Sequence, residues 1–118
     1  MPATAARDVD LLFRAFADGT RRRLLHLMLD GELCVCHLVD LLGVPQPTAS
    51  RHLAALRRAG LVNVRKDGLW CHYSLAPARG KFHAKLLEAL RMSAQEVPEL
   101  VSDASKCRKL RKTIACCD

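Results

Sequence analysis

The sequence predicts a mainly α-helical domain with one small β-hairpin, an α+β fold. Up to Ala59, apolar residues recur at helical spacing in four segments that glycine and proline separate. From Leu61 to Leu75 they alternate with polar residues instead, which is typical of strands. A further helical segment follows, and the order αααα-ββ-α indicates a winged helix-turn-helix.

The first two helices are expected on either side of a polar break. Leu12 and Phe16 belong to an apolar stripe in a helix over residues 9–17, and Asp18-Gly19-Thr20 interrupts it. Either polar residue of that break can cap a second helix over residues 21–29. The Asp-Gly pair that follows is a stop signal.

The third and fourth helices are expected to be joined by a sharp turn. The third covers residues 34–42 and ends at Gly43, which permits the turn. Pro45 and Pro47 bracket the turn, and the fourth helix is expected over residues 48–59.

The hairpin is expected to turn at Lys66-Asp67-Gly68, which has the chemistry of a tight turn. Alternation along the second strand places one set of side chains inward, namely Leu69, Cys71, Tyr73 and Leu75. It places the other set outward, namely Trp70, His72 and Ser74.

After the hairpin, a helix is expected over residues 81–93, with Pro98 ending it. The chain therefore divides into a folded domain over residues 1–98 and a basic, cysteine-containing tail over residues 99–118. The first and last helices carry more apolar surface than one small core can bury. A second copy of the chain is the expected partner, so that residues 1–98 also mediate dimerisation.

Composition narrows the class of partner. A formal net charge of +7 and a pI of about 9.5 favour a polyanion. No apolar run approaches the roughly 20 residues that span a bilayer, and the N-terminus has no apolar leader, so a cytoplasmic location and no membrane partner are expected. The six cysteines would stay reduced there, which favours metal binding or redox chemistry over structural disulfides.

The segment from Gly43 to Leu56 is predicted to read DNA. Ala49, Leu53 and Leu56 are spaced to face the core, which leaves polar side chains at the exposed start of the fourth helix. The residues expected to contact double-stranded DNA, two of them from the hairpin, are Gln46, Thr48, Ser50, Arg51, His52, Arg65 and Lys66. With roughly 6–10 phosphates neutralised, affinity should fall steeply with salt.

Cys34 and Cys36, beside His37, are predicted to bind a soft, thiophilic ion. On a regular helix, two residues at this spacing point about 200° apart. We therefore expect an ion to bind both sulfurs only by pulling the first turn of the third helix out of helical form. For His37, an outward polar position is favoured over zinc ligation.

Three segments resemble the ArsR/SmtB family of metal-responsive repressors. They are residues 45–61 together with the hairpin sequence 65–75, the opening 15–25, and the box 32–38, which is similar to that of the arsenic-sensing members. The resemblance covers residues 9–90. It implies a homodimeric repressor, not an enzyme, that leaves its operator when the inducer binds. For the arsenic-sensing type the inducer is As(III) or Sb(III) on cysteine thiolates, and the two-fold dimer implies an inverted repeat in the operator.

The third thiolate ligand is left open. Arsenite and antimonite are expected to take three thiolates, and where the family's arsenic box often has another cysteine this chain has Val39. Cys116 or Cys117 of the tail is the preferred third ligand, with Cys107 behind them. Alternatively, those three tail thiols form a site of their own, and Cys71 is expected in the core of the hairpin.

Two alternatives to an As(III) or Sb(III) response remain for a repressor of the same fold. Cadmium, lead and zinc also bind thiolates, with imidazole as an additional ligand for zinc. A thiol-redox response is the other alternative, in which the cysteines oxidise and release DNA. An enzymatic thiol oxidoreductase is disfavoured, because the chain has no Cys-x-x-Cys and no strand-helix fold to hold one.

Overall fold

The computed structural model describes residues 6–113, with side chains from residue 8 to residue 112. In chain order the elements are α1 (Ala6–Ala17), α2 (Gly19–Leu27), a 3-10 turn (Met28–Asp30), β1 (Leu33–Cys34), α3 (Val35–Leu42), α4 (Gln46–Arg58), β2 (Val62–Asp67), β3 (Trp70–Leu75), α5 (Lys81–Ser93) and α6 (Pro98–Thr113). The pair α3–α4 followed by the β2–β3 hairpin confirms the predicted winged helix-turn-helix.

A side-chain cap determines where α2 begins. The Asp18 carboxylate accepts a hydrogen bond from the backbone N–H of Arg21 at 3.1 Å, which satisfies one of the unpaired donors at the helix start. Of the two caps that the sequence allows, Asp18 is the one used, so α2 begins at Gly19, ahead of the predicted start.

The turn of the helix-turn-helix follows from one glycine and two prolines. Gly43 ends α3 at φ 70°, in the left-handed region that glycine adopts without strain. Pro45 is the N-cap of α4, and Pro47 lies in the first helical turn, where its missing N–H costs no hydrogen bond. The helix therefore begins at Gln46, before the expected Thr48.

The core lies between α2, α3 and α4 and extends to the sheet and α6. On α4, the side chains of Ala49, Leu53 and Leu56 are fully buried, as their spacing predicted. They hold α4 by one face, so that the opposite face, with the polar residues of its first turns, is turned outward.

The segment expected as a tail forms helix α6. Pro98 occupies its first turn instead of acting as a breaker, since proline is tolerated at the start of a helix. Leu100 and Cys107 belong to the core, and Leu110 packs against it. None of the helices among the described residues has the combined length and apolar character of a membrane span.

A buried ion pair joins α6 to α2. The Arg23 guanidinium donates from Nε and Nη2 to the two carboxylate oxygens of Asp103, at 2.8 and 3.0 Å. Asp103 is only 1% exposed. An acidic residue at a core-facing position conceals the apolar stripe of this helix in the sequence, which is why α6 was not predicted.

A third strand extends the hairpin into a sheet of order β1-β3-β2. The short strand β1 pairs antiparallel with β3, with Leu33 opposite Tyr73 and Cys34 opposite His72. Two predictions for the hairpin are wrong. His72 is buried rather than outward, at 6% exposure, and Leu69 lies at the turn with 97% exposure rather than inward. β1 borders β3 on the side away from β2, which the alternation of one strand does not reveal.

Candidate functional site

The two cysteines lie side by side where β1 meets α3. Cys34 is the N-cap of α3 and has an extended backbone, with φ −72° and ψ 148°, while Cys36 lies in the first helical turn. Their Sγ atoms are 2.9 Å apart. Two sulfurs therefore converge on one point while the helix is intact.

This geometry corrects the expectation that both sulfurs meet only if the helix unwinds. The angle of about 200° applies to two residues inside one helix, and Cys34 is outside it. The antiparallel pairing of Cys34 with His72 keeps its backbone extended, and its sulfur lies 2.9 Å from that of Cys36. Capture of an ion by both sulfurs therefore needs no loss of helical structure.

His37 belongs to the same group. One ligand atom from each of Cys34, Cys36 and His37 lies within 4.8 Å of the other two. The His37 side chain is 8% exposed, contrary to the outward position that was favoured. Two sulfurs and an imidazole fit a soft ion or zinc. Within residues 8–112 this group contains no third cysteine, and Cys116 and Cys117 lie outside the described residues.

The oxidation state of the group bears on its chemistry. Only thiolates ligate ions, so ion capture requires both Cys34 and Cys36 in the reduced form. At the start of α3 the helix dipole favours the negative charge of a thiolate.

The remaining described cysteines lie elsewhere. Cys107 is in the core, at 5% exposure, where its S–H points to the carbonyl oxygen of Leu27 at 3.9 Å. Cys71 is a half-buried free thiol of β3. Neither belongs to the group of ligand atoms at α3, so Cys107 as a ligand there remains a prediction that its buried position does not favour.

The segment before Cys34 is tied to the hairpin by charge. Arg65 of β2 donates from Nη2 and Nε to the two carboxylate oxygens of Glu32, at 2.6 and 3.2 Å. The Nδ1 atom of His72 is 4.0 Å from the same carboxylate. The hydrogen bonds from Arg65 hold the pKa of Glu32 below its ordinary value, against the opposing effect of slight burial.

The same segment is tied to α6 through backbone oxygens. Arg111 donates from Nη2 to the carbonyl of Gly31 at 2.9 Å and from Nη1 to that of Glu32 at 3.3 Å. The approach to Cys34 is therefore held by α6 on one side and by the hairpin on the other.

Most of the predicted DNA contacts lie on exposed faces. Gln46, Ser50 and Arg51 are exposed on α4, and Thr48 is partly exposed. Lys66 and Arg65 are exposed on β2. The two sets belong to the helix-turn-helix and to its wing, which are the elements that enter and flank a DNA groove in this fold.

His52 is the exception among the predicted contacts. It is 8% exposed, and its Nδ1 accepts a hydrogen bond from Nε of Arg21 at 3.2 Å. The Asp18 carboxylate is 4.0 Å from the same nitrogen. This position favours packing of α4 against the start of α2 over display on the DNA-facing side.

The residues that the sequence did not single out are Glu32, His72 and Arg111. Glu32 could have been noticed, because it belongs to the quoted box beside the cysteines. Arg111 has no local signal, since its partner Glu32 is 79 positions away in the chain. Contacts at this separation depend on the packing of α6.

Comparisons with known proteins agree with this architecture. The family described as "Bacterial regulatory protein, arsR family" matches residues 18–64. The arsenical resistance operon repressor of Escherichia coli (strain K12) is 42% identical over 97 residues, 80% of this chain and 83% of that protein. The cadmium resistance transcriptional regulatory protein CadC homolog of Staphylococcus aureus is 34% identical over 94 residues, 79% of this chain and 75% of that protein.

A solved structure of a homodimeric protein has the same chain fold. The homodimeric winged helix-turn-helix DNA-binding domain Mb0332 from Mycobacterium bovis superposes with a TM-score of 0.63 at 30% identity, covering 81% of this chain and 92% of that one. The shared fold includes the helix-turn-helix and wing on which the candidate DNA contacts lie.

Proposed function

Because the chain belongs to the ArsR family of bacterial regulatory proteins, we propose that it is a transcriptional repressor that leaves its operator when As(III) or Sb(III) binds cysteine thiolates. The family is one of DNA-binding regulators and not of enzymes. A relative that represses an arsenical resistance operon, at 42% identity, supports this choice of inducer.

The observation that carries the proposal is the 2.9 Å separation of the Cys34 and Cys36 sulfurs at the start of α3. This site touches both DNA-facing elements. Helix α3 leads through the turn at Gly43 into α4, and β1 is hydrogen-bonded to the wing strand β3. A change of shape at the sulfurs is therefore transmitted to helix and wing together.

The proposed assembly is a homodimer on an inverted repeat. Phe13 of α1 and Phe82 of α5 stack edge to face, with ring centroids 5.4 Å apart, yet they are 52% and 37% exposed. A second copy would bury this apolar surface, and the Mycobacterium bovis domain that has this fold is homodimeric. Two-fold symmetry would then place two α4 helices on successive grooves of one DNA face.

The third ligand for As(III) is proposed to be Cys116 or Cys117. Both lie outside the described residues, and the described group supplies only two sulfurs and the His37 imidazole. Because As(III) is expected to take three thiolates, loss of both tail cysteines should abolish the arsenite response. If His37 completes the site instead, that loss would leave the response unchanged.

The direct test is release of operator DNA by the reduced dimer. Fluorescence anisotropy of a labelled promoter duplex is followed during titration with arsenite, antimonite or cadmium in the presence of a reductant. Cys34→Ser and Cys36→Ser should each prevent release by arsenite. Cys71→Ser is the matched control and should respond as the wild type does. Release that persists in both site variants would refute this site.

A cadmium, lead or zinc response is the second candidate, and the buried His37 favours it. Imidazole with thiolates suits zinc or cadmium better than it suits As(III). The relative from Staphylococcus aureus is named for cadmium resistance. His37→Ala should abolish a zinc or cadmium response and spare an arsenite response, so one variant separates the two classes of inducer.

A thiol-redox response is the third candidate, and the 2.9 Å separation of the Cys34 and Cys36 sulfurs favours it, because two sulfurs this close are placed to form a disulfide. Peroxide would oxidise two thiols to a disulfide while it is itself reduced to water. Release by peroxide in the presence of a metal chelator, reversed by dithiothreitol, would favour this candidate. No effect of peroxide under those conditions would eliminate it.

A further inference from the structure

Glu32 and Arg65 form an ion pair in a place where DNA is expected to bind. The guanidinium meets both carboxylate oxygens through two hydrogen bonds, at 2.6 and 3.2 Å. This is the forked geometry with which arginine also holds phosphate. The pair is half-exposed, with 56% of the Arg65 side chain and 36% of the Glu32 side chain accessible.

Arg65 is one of the side chains that the wing offers to the DNA backbone. It lies on β2 next to the exposed Lys66, and the strand is antiparallel to β3. While Glu32 is bound, the guanidinium charge is neutralised. A phosphate that approaches the same guanidinium would also meet the negative charge of the carboxylate, so the two anions compete.

The backbone holds Glu32 in this competing position. Its carbonyl and that of Gly31 accept hydrogen bonds from Arg111 of α6. The next residue, Leu33, is buried and pairs with Tyr73 of β3. These backbone contacts therefore hold Glu32 beside Arg65. Glu32 belongs to the segment that leads into β1 and Cys34.

We propose that Glu32 is an internal substitute for a DNA phosphate, which holds Arg65 in the DNA-free protein and thereby lowers affinity for DNA. The inference rests on the proposed DNA-binding function and adds a residue that opposes it. In each subunit of a dimer, Arg65 either stays paired with Glu32 and makes no phosphate contact, or breaks the ion pair to make one.

The test removes the charge of Glu32 and keeps its shape. Glu32→Gln, Arg65→Gln and the double variant are compared with the wild type by anisotropy on a promoter duplex and on a random-sequence duplex, with reductant and without added metal. Glu32→Gln should bind both duplexes about threefold to thirtyfold more tightly, since two exposed ion pairs per dimer no longer compete.

Salt dependence provides a second readout. Two additional phosphate contacts per dimer should steepen the slope of log affinity against log salt by up to about 2. In the Arg65→Gln background, Glu32→Gln should change affinity by less than about twofold, because the residue for which it competes is absent.

Glu88→Gln is the matched control. Glu88 forms an exposed ion pair with Lys85 on α5 at 3.0 Å, so this variant changes the net charge equally without touching the wing. The inference would be overturned if Glu32→Gln had the DNA affinity and the salt slope of the wild type. It would also be overturned if Glu32→Gln gained as much affinity in the Arg65→Gln background as it does alone. If the wild type binds neither duplex, the proposed repressor function fails first, and that outcome is separate.

Discussion

Cys34 lies directly opposite His72 in the antiparallel pairing of β1 with β3, so one sulfur of the candidate sensor belongs to the same sheet as the wing. The other sulfur belongs to α3, which precedes the DNA-facing helix. An ion held by both would fasten the wing to the helix-turn-helix. Release of DNA would then follow from a change in their relative position rather than from unwinding.

This mechanism predicts where ion binding alters backbone protection. With arsenite bound to the reduced protein, amide hydrogen exchange should change at β1 and β3, while the interior amides of α3 keep their protection. Cys36→Ser should remove the change. Loss of protection throughout α3 would instead support unwinding of its first turn.

The buried ion pair between α2 and α6 should contribute strongly to stability. Asp103→Asn would remove the charge that pairs with Arg23, whose side chain is only 17% exposed, and would leave the exposed Glu99 at 3.8 Å as its anionic neighbour. The free energy of unfolding should fall by about 2–4 kcal/mol, somewhat less than for a fully buried pair. Urea denaturation at one fixed protein concentration measures it. Glu88→Gln, which breaks an exposed pair, should cost no more than about 1 kcal/mol. Equal losses would contradict the role of burial.

Two left-handed glycines should differ in their tolerance of alanine. Gly43 and Gly60 have φ 70° and φ 76°, so alanine at either should cost about 1–2 kcal/mol of strain. A Cβ at Gly43 meets nothing within 4 Å, whereas at Gly60 it would collide with the Arg79 guanidinium. Arg79 donates a hydrogen bond to the carbonyl of Ala59 at 3.1 Å.

Gly60→Ala should therefore be the more destabilising substitution, by about 1 kcal/mol for the disturbed hydrogen bond. Thermal unfolding of the two variants checks the order. In an Arg79→Ala background the difference between them should largely vanish, and a difference that persists would point to another cause.

Stability should decline as pH falls below the ordinary histidine range. Burial lowers the pKa of His26, assisted by Arg91 and opposed by Asp103 and Asp30. Burial and Arg79 lower the pKa of His83. Both groups are favoured as neutral in the folded state, so the unfolded chain binds more protons as pH falls through the ordinary value of 6.5.

The stability that neutral His26 and His83 contribute is thus complete above pH 6.5 and is lost progressively as the pH falls below that value. Urea denaturation across this range should show the decline, and His26→Leu together with His83→Leu should flatten it. An equally steep decline in the double variant would assign the effect to other groups.

The two kinds of predicted DNA contact should respond differently to substitution. Arg51→Ala on α4 should lower discrimination between operator and random DNA by about 1–3 kcal/mol, if it reads a base edge. Lys66→Ala on the wing should weaken binding to both duplexes alike. It should also reduce the slope of log affinity against log salt by about 1 per subunit. Binding assays at several salt concentrations separate the two effects. Equal loss of discrimination in both variants would contradict this division of roles.

Local patterns in the sequence were sufficient for the helix-turn-helix. Gly43, Pro45 and Pro47 determine the turn through their own backbone preferences, and the spacing of Ala49 and Leu53 determines which face of α4 is buried. The cysteine pair was also recognisable, because the chemistry of adjacent sulfurs depends on residue type.

Other features could not be read locally. Strand β1 is two residues long and exists because β3 pairs with it. That pairing takes Cys34 out of the helix, reverses the expected geometry of the sulfurs and buries His72. Helix α6 is hidden by Asp103, whose charge is accommodated only because Arg23 lies opposite on α2.

The sequence by itself determined the elements whose causes lie within a few residues: the helices through α5, the turn, the hairpin and the choice of Cys34 and Cys36 as candidate ligands. Only the tertiary structure decided how those ligands meet and what surrounds them, including the pairing of Glu32 with Arg65 across 33 positions. The physical reason is that caps, turns and periodicity act between neighbours in the chain, whereas strand pairing and ion pairs act between neighbours in space.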